Sequence, residues 1–69
     1  MNYLVIVEKG QDGTWGAYVP DLPGCTAVGA SEAEVGSLIK TSIDLWLATA
    51  MKHNWPVPSP TSTSLNIAV

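Results

Sequence analysis

Hydrophobic and polar positions change period along this chain, and the changes mark out its elements. Residues 3–7 read Tyr-Leu-Val-Ile-Val, a β-branched and aromatic run too short for a helix. Tyr3, Val5 and Val7 fall on one face and Leu4 and Ile6 on the other, so both faces are apolar. That pattern predicts a central strand covered on both sides. Lys9-Gly10-Gln11-Asp12-Gly13 is turn chemistry, and residues 14–19 then alternate Trp15, Ala17 and Val19 against Gly16 and Tyr18. The two runs predict a β-hairpin. Pro20, Pro23 and Gly24 end the second strand, because proline donates no ladder hydrogen bond and glycine permits a tight turn. Residues 26–29 leave room for a short third strand.

Period two then gives way to the helical period. Ser31-Glu32-Ala33-Glu34 is a capping box, with acidic residues placed where the helix dipole favours them. The helix is predicted from about Glu32 to about Lys52. Val35, Leu38, Ile39, Trp46 and Ala50 form one apolar stripe, and Ile43, Leu47 and Met51 an adjacent one. Gly36 interrupts this face and is expected to allow close packing. Pro56, Pro58 and Pro60 keep the following segment extended, Thr61-Ser62-Thr63-Ser64 is polar, and residues 65–69 alternate as a final strand. The order is β-β-β-α-β: an α+β fold with one small antiparallel-type sheet, one helix packed on it and a single domain over residues 1–69.

Composition alters the picture in one respect. A chain of 69 residues is near the lower limit for folding unaided. Small scaffolds compensate with disulfides, metals or partners. Cys25 is the only cysteine and His53 the only histidine, which excludes a disulfide and leaves too few soft ligands for structural zinc. Only 13% of residues are charged against a usual ~25%, while 46% are hydrophobic. A homo-oligomer, dimer or tetramer, is therefore expected, docked through the uncovered sheet face or an edge strand. The net charge of −3, with no arginine, disfavours direct nucleic-acid binding and suits a basic protein partner. Residues 1–7 lack the basic start and long apolar run of a signal sequence, and Lys40 and Asp44 interrupt the helix, so no membrane association and a cytoplasmic location are expected.

Candidate chemistry is sparse. Cys25 has no base near it in sequence, and a small buried hydrophobe explains it better than a nucleophile. His53 suits the carbonyl end of the helix. The carboxylates Glu8, Asp12, Asp21, Glu32, Glu34 and Asp44 form no tight metal-ligating motif, and the glycines match no phosphate-binding loop. No catalytic residue, metal or cofactor is therefore assigned. Three tryptophans in a chain without phenylalanine stand out. Core packing accounts for Trp15 and Trp46, while Trp55 beside Pro56 is the better interface anchor.

Trp15-Gly16-Ala17-Tyr18-Val19-Pro20-Asp21-Leu22-Pro23-Gly24-Cys25 resembles the signature of HicB-type antitoxins. The short strand after it, the helix opening at Ser31–Glu34 and the Pro-x-Pro at Pro56–Pro58 extend the similarity from Tyr3 to about Pro60. The resemblance implies a partial RNase H-like core without a working active site, self-association, and neutralisation of a small HicA-type mRNA-cleaving toxin, or an orphan derivative of such an antitoxin. Many relatives add a C-terminal DNA-binding domain; none is expected over residues 1–69. The partner-binding residues expected around the Pro/Gly turn and the post-helix segment are Trp15, Tyr18, Asp21, Leu22 and Trp55. Two other functional classes are weighed beside this one: a remnant metal-dependent nuclease using Asp21 and neighbouring acids, and a small ligand- or peptide-binding scaffold.

Overall fold

The computed structural model describes residues 1–69. Strands β1 (Ile6–Lys9), β2 (Trp15–Tyr18) and β3 (Thr26–Gly29) precede helix α1 (Glu32–Lys52). The strands form one antiparallel sheet in the order β1-β2-β3. The α+β class, with one antiparallel sheet and one helix, is as the sequence predicts.

Local chemistry sets the hairpin. Gly10 donates to the Thr14 carbonyl at 2.7 Å, and the Asp12 carboxylate accepts from the Thr14 amide and hydroxyl at 3.0 and 2.7 Å. Gly13 takes φ of 88°, a left-handed value suited to glycine. This turn pairs Ile6 with Tyr18 and Lys9 with Trp15. Extending the same register would set Val5, Leu4 and Tyr3 against Val19, Pro20 and Asp21, where proline and a turn end the ladder. For that reason β1 starts at Ile6 rather than at Tyr3. It is also an edge strand, not the central one expected from its two apolar faces; β2 occupies the centre.

Ser31 caps α1 by accepting from the Glu34 amide at 3.1 Å, and the Glu34 carboxylate reaches back to the Ala30 amide at 2.9 Å. The helix ends in a Schellman motif: Trp55 N–H donates to the Ala50 carbonyl at 2.8 Å and Asn54 N–H to Met51 at 3.3 Å. Asn54 takes the required left-handed φ, 54°.

The helix lies across β3 and β2. Its buried residues Val35 and Ile39, with partly buried Ile43, Trp46 and Leu47, pack onto Ala17, Val19, Leu22 and Cys25. Leu38 and Met51, read as part of the apolar stripes, are exposed. Close approach of helix and sheet falls at Gly29, where a Cβ would stand 3.0 Å from the Val35 amide nitrogen; nothing lies within 4 Å of Gly36. No helix is long and apolar enough to cross a membrane.

The final strand predicted over residues 65–69 does not form. The chain there is extended and exposed, and residues 63–69 make no backbone–backbone hydrogen bond. A lone strand has no stability without a ladder partner, however well its side chains alternate.

Candidate functional site

The loop between β2 and β3 is rigid for reasons visible in its residues. Leu22 N–H donates to the Val19 carbonyl and Cys25 N–H to the Leu22 carbonyl, both at 3.1 Å, and Gly24 supplies the left-handed step at φ 77°. Leu22 itself is 0% exposed and plugs the loop into the core. Two side chains of α1 then fasten the loop and the first residue of β3 from outside. The Trp46 indole N–H donates to the Pro23 carbonyl at 2.9 Å, and the Ser42 hydroxyl to the Thr26 carbonyl at 3.2 Å.

Between loop and helix runs a groove of about 280 Å³. Cys25, Thr26, Ser42 and Trp46 line its loop side and floor, and Leu45, Thr49 and Trp55 continue it along the helix. Trp55 is part of the lining and is 53% exposed. The Schellman motif fixes its backbone, and its ring stacks on His53 with centroids 4.9 Å apart and planes at 21°. A half-exposed, immobilised aromatic beside an apolar trough is well suited to anchoring a protein partner, because little side-chain entropy remains to be lost. The groove is not equipped for nucleophilic chemistry. Burial pushes the Cys25 thiol up from its ordinary pKa, which favours the unreactive protonated form, and no histidine lines the groove.

The five residues expected at a partner site do not gather on one surface. Trp55 stands at the groove. Tyr18 is 44% exposed on the sheet face away from the helix, beside Val28 at 68%, where a shallow hollow of about 510 Å³ also takes in Glu8, Gly16 and Thr26. Trp15 is half-buried on the helix side of the sheet, with Lys9 Nζ 5.9 Å from its ring centroid. Leu22 offers no surface at all.

Asp21 is engaged within the chain. Its Oδ2 accepts from the Thr61 and Ser62 amides, each at 3.0 Å, and its Oδ1 from the Thr61 and Ser62 hydroxyls at 3.1 and 2.8 Å. These bonds, those from Ser62 foremost, hold its pKa below the ordinary carboxylate value. Asp21 thus clamps the post-helix segment to the loop. The side chains of His, Cys, Asp and Glu nowhere form a group of three that could hold a metal ion.

Sequence reasoning missed most of the groove. Ser42, Leu45, Trp46 and Thr49 follow helical spacing; Trp46 packs against the core, as that spacing predicts, and lines the groove as well. The available signal was the mixed character of this stripe: two hydroxyl residues interleaved with leucine and tryptophan, next to Trp55, make a poor core face and a good groove wall.

A family model described as HicB_like antitoxin of bacterial toxin-antitoxin system matches residues 3–68. Similar proteins include the UPF0150 protein Ta0767 of Thermoplasma acidophilum, 33% identical over 67 residues that cover 97% of each chain. The UPF0150 protein ssl0259 of Synechocystis is 37% identical over 59 residues, covering 86% of this chain and 81% of its own. A UPF0150 protein of Archaeoglobus fulgidus is 36% identical over 47 residues, 68% of each chain. No solved structure gives a significant match.

Proposed function

The chain belongs to the HicB-like antitoxin family of bacterial toxin–antitoxin systems, and from that premise we propose that it neutralises a small, basic, HicA-type mRNA-cleaving toxin by covering its active surface. The family match over residues 3–68 carries this reading. The mechanism is steric and asks no chemistry of the antitoxin. A ribonuclease that grips RNA phosphates must present a basic surface, and a chain of net charge −3 approaches such a surface with favourable, if mild, steering.

The Trp55 groove is the main contact surface in this proposal, and Tyr18 and Trp15, which lie on other surfaces of the sheet, are separate contacts. Asp21 and Leu22 act one step back, by holding the loop and the post-helix segment in shape. The protein works in the cytoplasm, where the toxin meets mRNA, and as a homo-oligomer, dimer or tetramer, in keeping with its scarcity of charged residues.

The test uses the full chain and a small basic ribonuclease encoded beside it. Stoichiometric addition of the chain abolishes RNA cleavage. Trp55→Ala weakens the complex by about 30-fold, the loss typical of a hot-spot aromatic worth ~2 kcal/mol, while the melting temperature stays within a few degrees. Cleavage that continues in the presence of excess folded chain refutes the proposal.

A further inference from the structure

Two unsatisfied features of this molecule have the same chemistry. The first is the outer edge of β1, whose backbone groups face no strand on that side. Its register places Val7 on the helix side, opposite Ala17, yet α1 packs chiefly on β3 and β2 and leaves Val7 exposed. Next to the start of β1, on that same side, is a hollow of about 400 Å³ lined by Tyr3, Ile43, Leu47 and the Lys40–Asp44 ion pair. An edge with open hydrogen-bonding groups beside an apolar hollow is a template for one more strand.

The second feature is the segment of residues 65–69. Leu65, Ile67 and Val69 alternate with Asn66 and Ala68, so an extended chain carries one fully apolar face and one small or polar face. Leu65 is 85% and Ile67 74% exposed. The radius of gyration, 13.2 Å, exceeds the ~11 Å of a compact chain of this length, as a projecting segment requires.

The route of the post-helix chain decides which edge this segment can reach. The Tyr3 hydroxyl donates to the Pro58 carbonyl at 2.6 Å, so the chain passes beside the residues that lead into β1. By Thr61 and Ser62 it has reached Asp21, beyond the end of β2, where four hydrogen bonds fasten it. Between Pro58 and Ser62 the segment thus passes from the β1 side of its own sheet to the β2 side, inward from the free edge.

We propose that residues 65–69 pair as a strand with the free β1 edge of a second copy of this chain, with Leu65, Ile67 and Val69 filling the Tyr3–Ile43–Leu47 hollow of that copy. A twofold axis makes the exchange reciprocal and closed: each sheet gains a fourth strand, and each apolar tail is covered. The inference rests on the self-association put forward above and names the surface that performs it.

The experiment uses the full chain at two levels. Sedimentation velocity is expected to show a dimer, and Ile67→Asp to weaken dimerisation by tenfold or more while leaving the three-stranded sheet and helix intact by circular dichroism. An equal mixture of ²H,¹⁵N-labelled and ¹³C-labelled chains is expected to give filtered NOEs between tail methyls of one copy and β1 amides of the other. NOEs confined to one copy, meaning that the tail pairs with its own sheet, overturn the proposal. A dimer that Ile67→Asp leaves unchanged, with residues 65–69 at random-coil shifts, overturns the exchange but spares self-association. A monomer at all concentrations overturns both.

Discussion

Replacing Leu22 with alanine removes the large apolar side chain that ties the β2–β3 loop to the core. Leu22 is fully buried among Val19, Cys25, Val35 and Ile39, and the loop backbone around it is pinned by its own hydrogen bonds. The cavity therefore cannot collapse easily, and the loss belongs in the usual buried Leu→Ala range of about 3–5 kcal/mol. A domain of this length has only about 3.5–10 kcal/mol to lose. At an unfolding entropy of ~2.1 cal/mol/K per residue, 3 kcal/mol lowers the melting temperature by about 20 °C. The assay is thermal unfolding followed by circular dichroism at fixed protein concentration, since self-association would couple to the melt. Leu45→Ala, on the exposed rim of the groove, serves as the comparison and is expected to shift the midpoint by no more than about 4 °C, within the ~0.5 kcal/mol of a surface change. A shift below about 5 °C for Leu22→Ala, or one as large for Leu45→Ala, would refute the claim that the loop is built from Leu22 inward.

Two further outcomes follow from the same geometry. The hydrogen bonds from Ser62 and Thr61 lower the Asp21 pKa in the folded chain, so their contribution is complete above the ordinary carboxylate value and is lost as pH falls through the lowered one. In an NMR titration, the Thr61 and Ser62 amide shifts should move together only below about pH 4 and should stay flat in Asp21→Asn; a wild-type midpoint above the ordinary carboxylate range contradicts the clamp. Gly29→Ala places a Cβ 3.0 Å from the Val35 amide nitrogen and 3.1 Å from the Glu34 carboxylate, so the first turn of the helix must give by a fraction of an ångström, at a cost of about 1 kcal/mol. Gly36→Ala meets nothing within 4 Å and should instead stabilise the helix by up to about 1 kcal/mol; denaturant melts of the pair in the reverse order would sink this assignment of the two glycines.

The parts of the fold legible in the sequence are those whose causes are local. Ser31 and Glu34 announce the helix start because both capping partners sit within one turn, and Pro56, Pro58 and Pro60 mark where the helix can no longer continue. The strand at Thr26–Gly29 follows from the prolines and glycine before it and the capping box after it. The candidate site was less legible. Trp55 could be picked out because it lies outside any periodic element, whereas Trp46, on the helical stripe, reads as core from spacing alone. Asp21 gave no sign of its role, since its hydrogen-bond donors lie 40 and 41 residues downstream, in a serine- and threonine-rich stretch that reads as linker.

The two strand misreadings share a cause of a different kind. Residues 3–7 carry the two-faced apolar pattern of a central strand, yet β1 ends up at an edge. Residues 65–69 carry the alternation of a paired strand, yet they pair with nothing in their own chain. Each pattern records burial, and a pattern of burial says nothing about which chain provides the cover. Natural sequences keep local preference and final structure consistent, and conflicts concentrate where function or assembly intervenes. Here both conflicts resolve together if the tail of one copy supplies the missing neighbour of β1 in another: the edge strand becomes an inner one, and the lone strand acquires its ladder. The proposed contact between copies would thus give β1 an inner position and the tail a ladder at once, a conjunction that argues for strand exchange more strongly than the exposure of either segment taken separately.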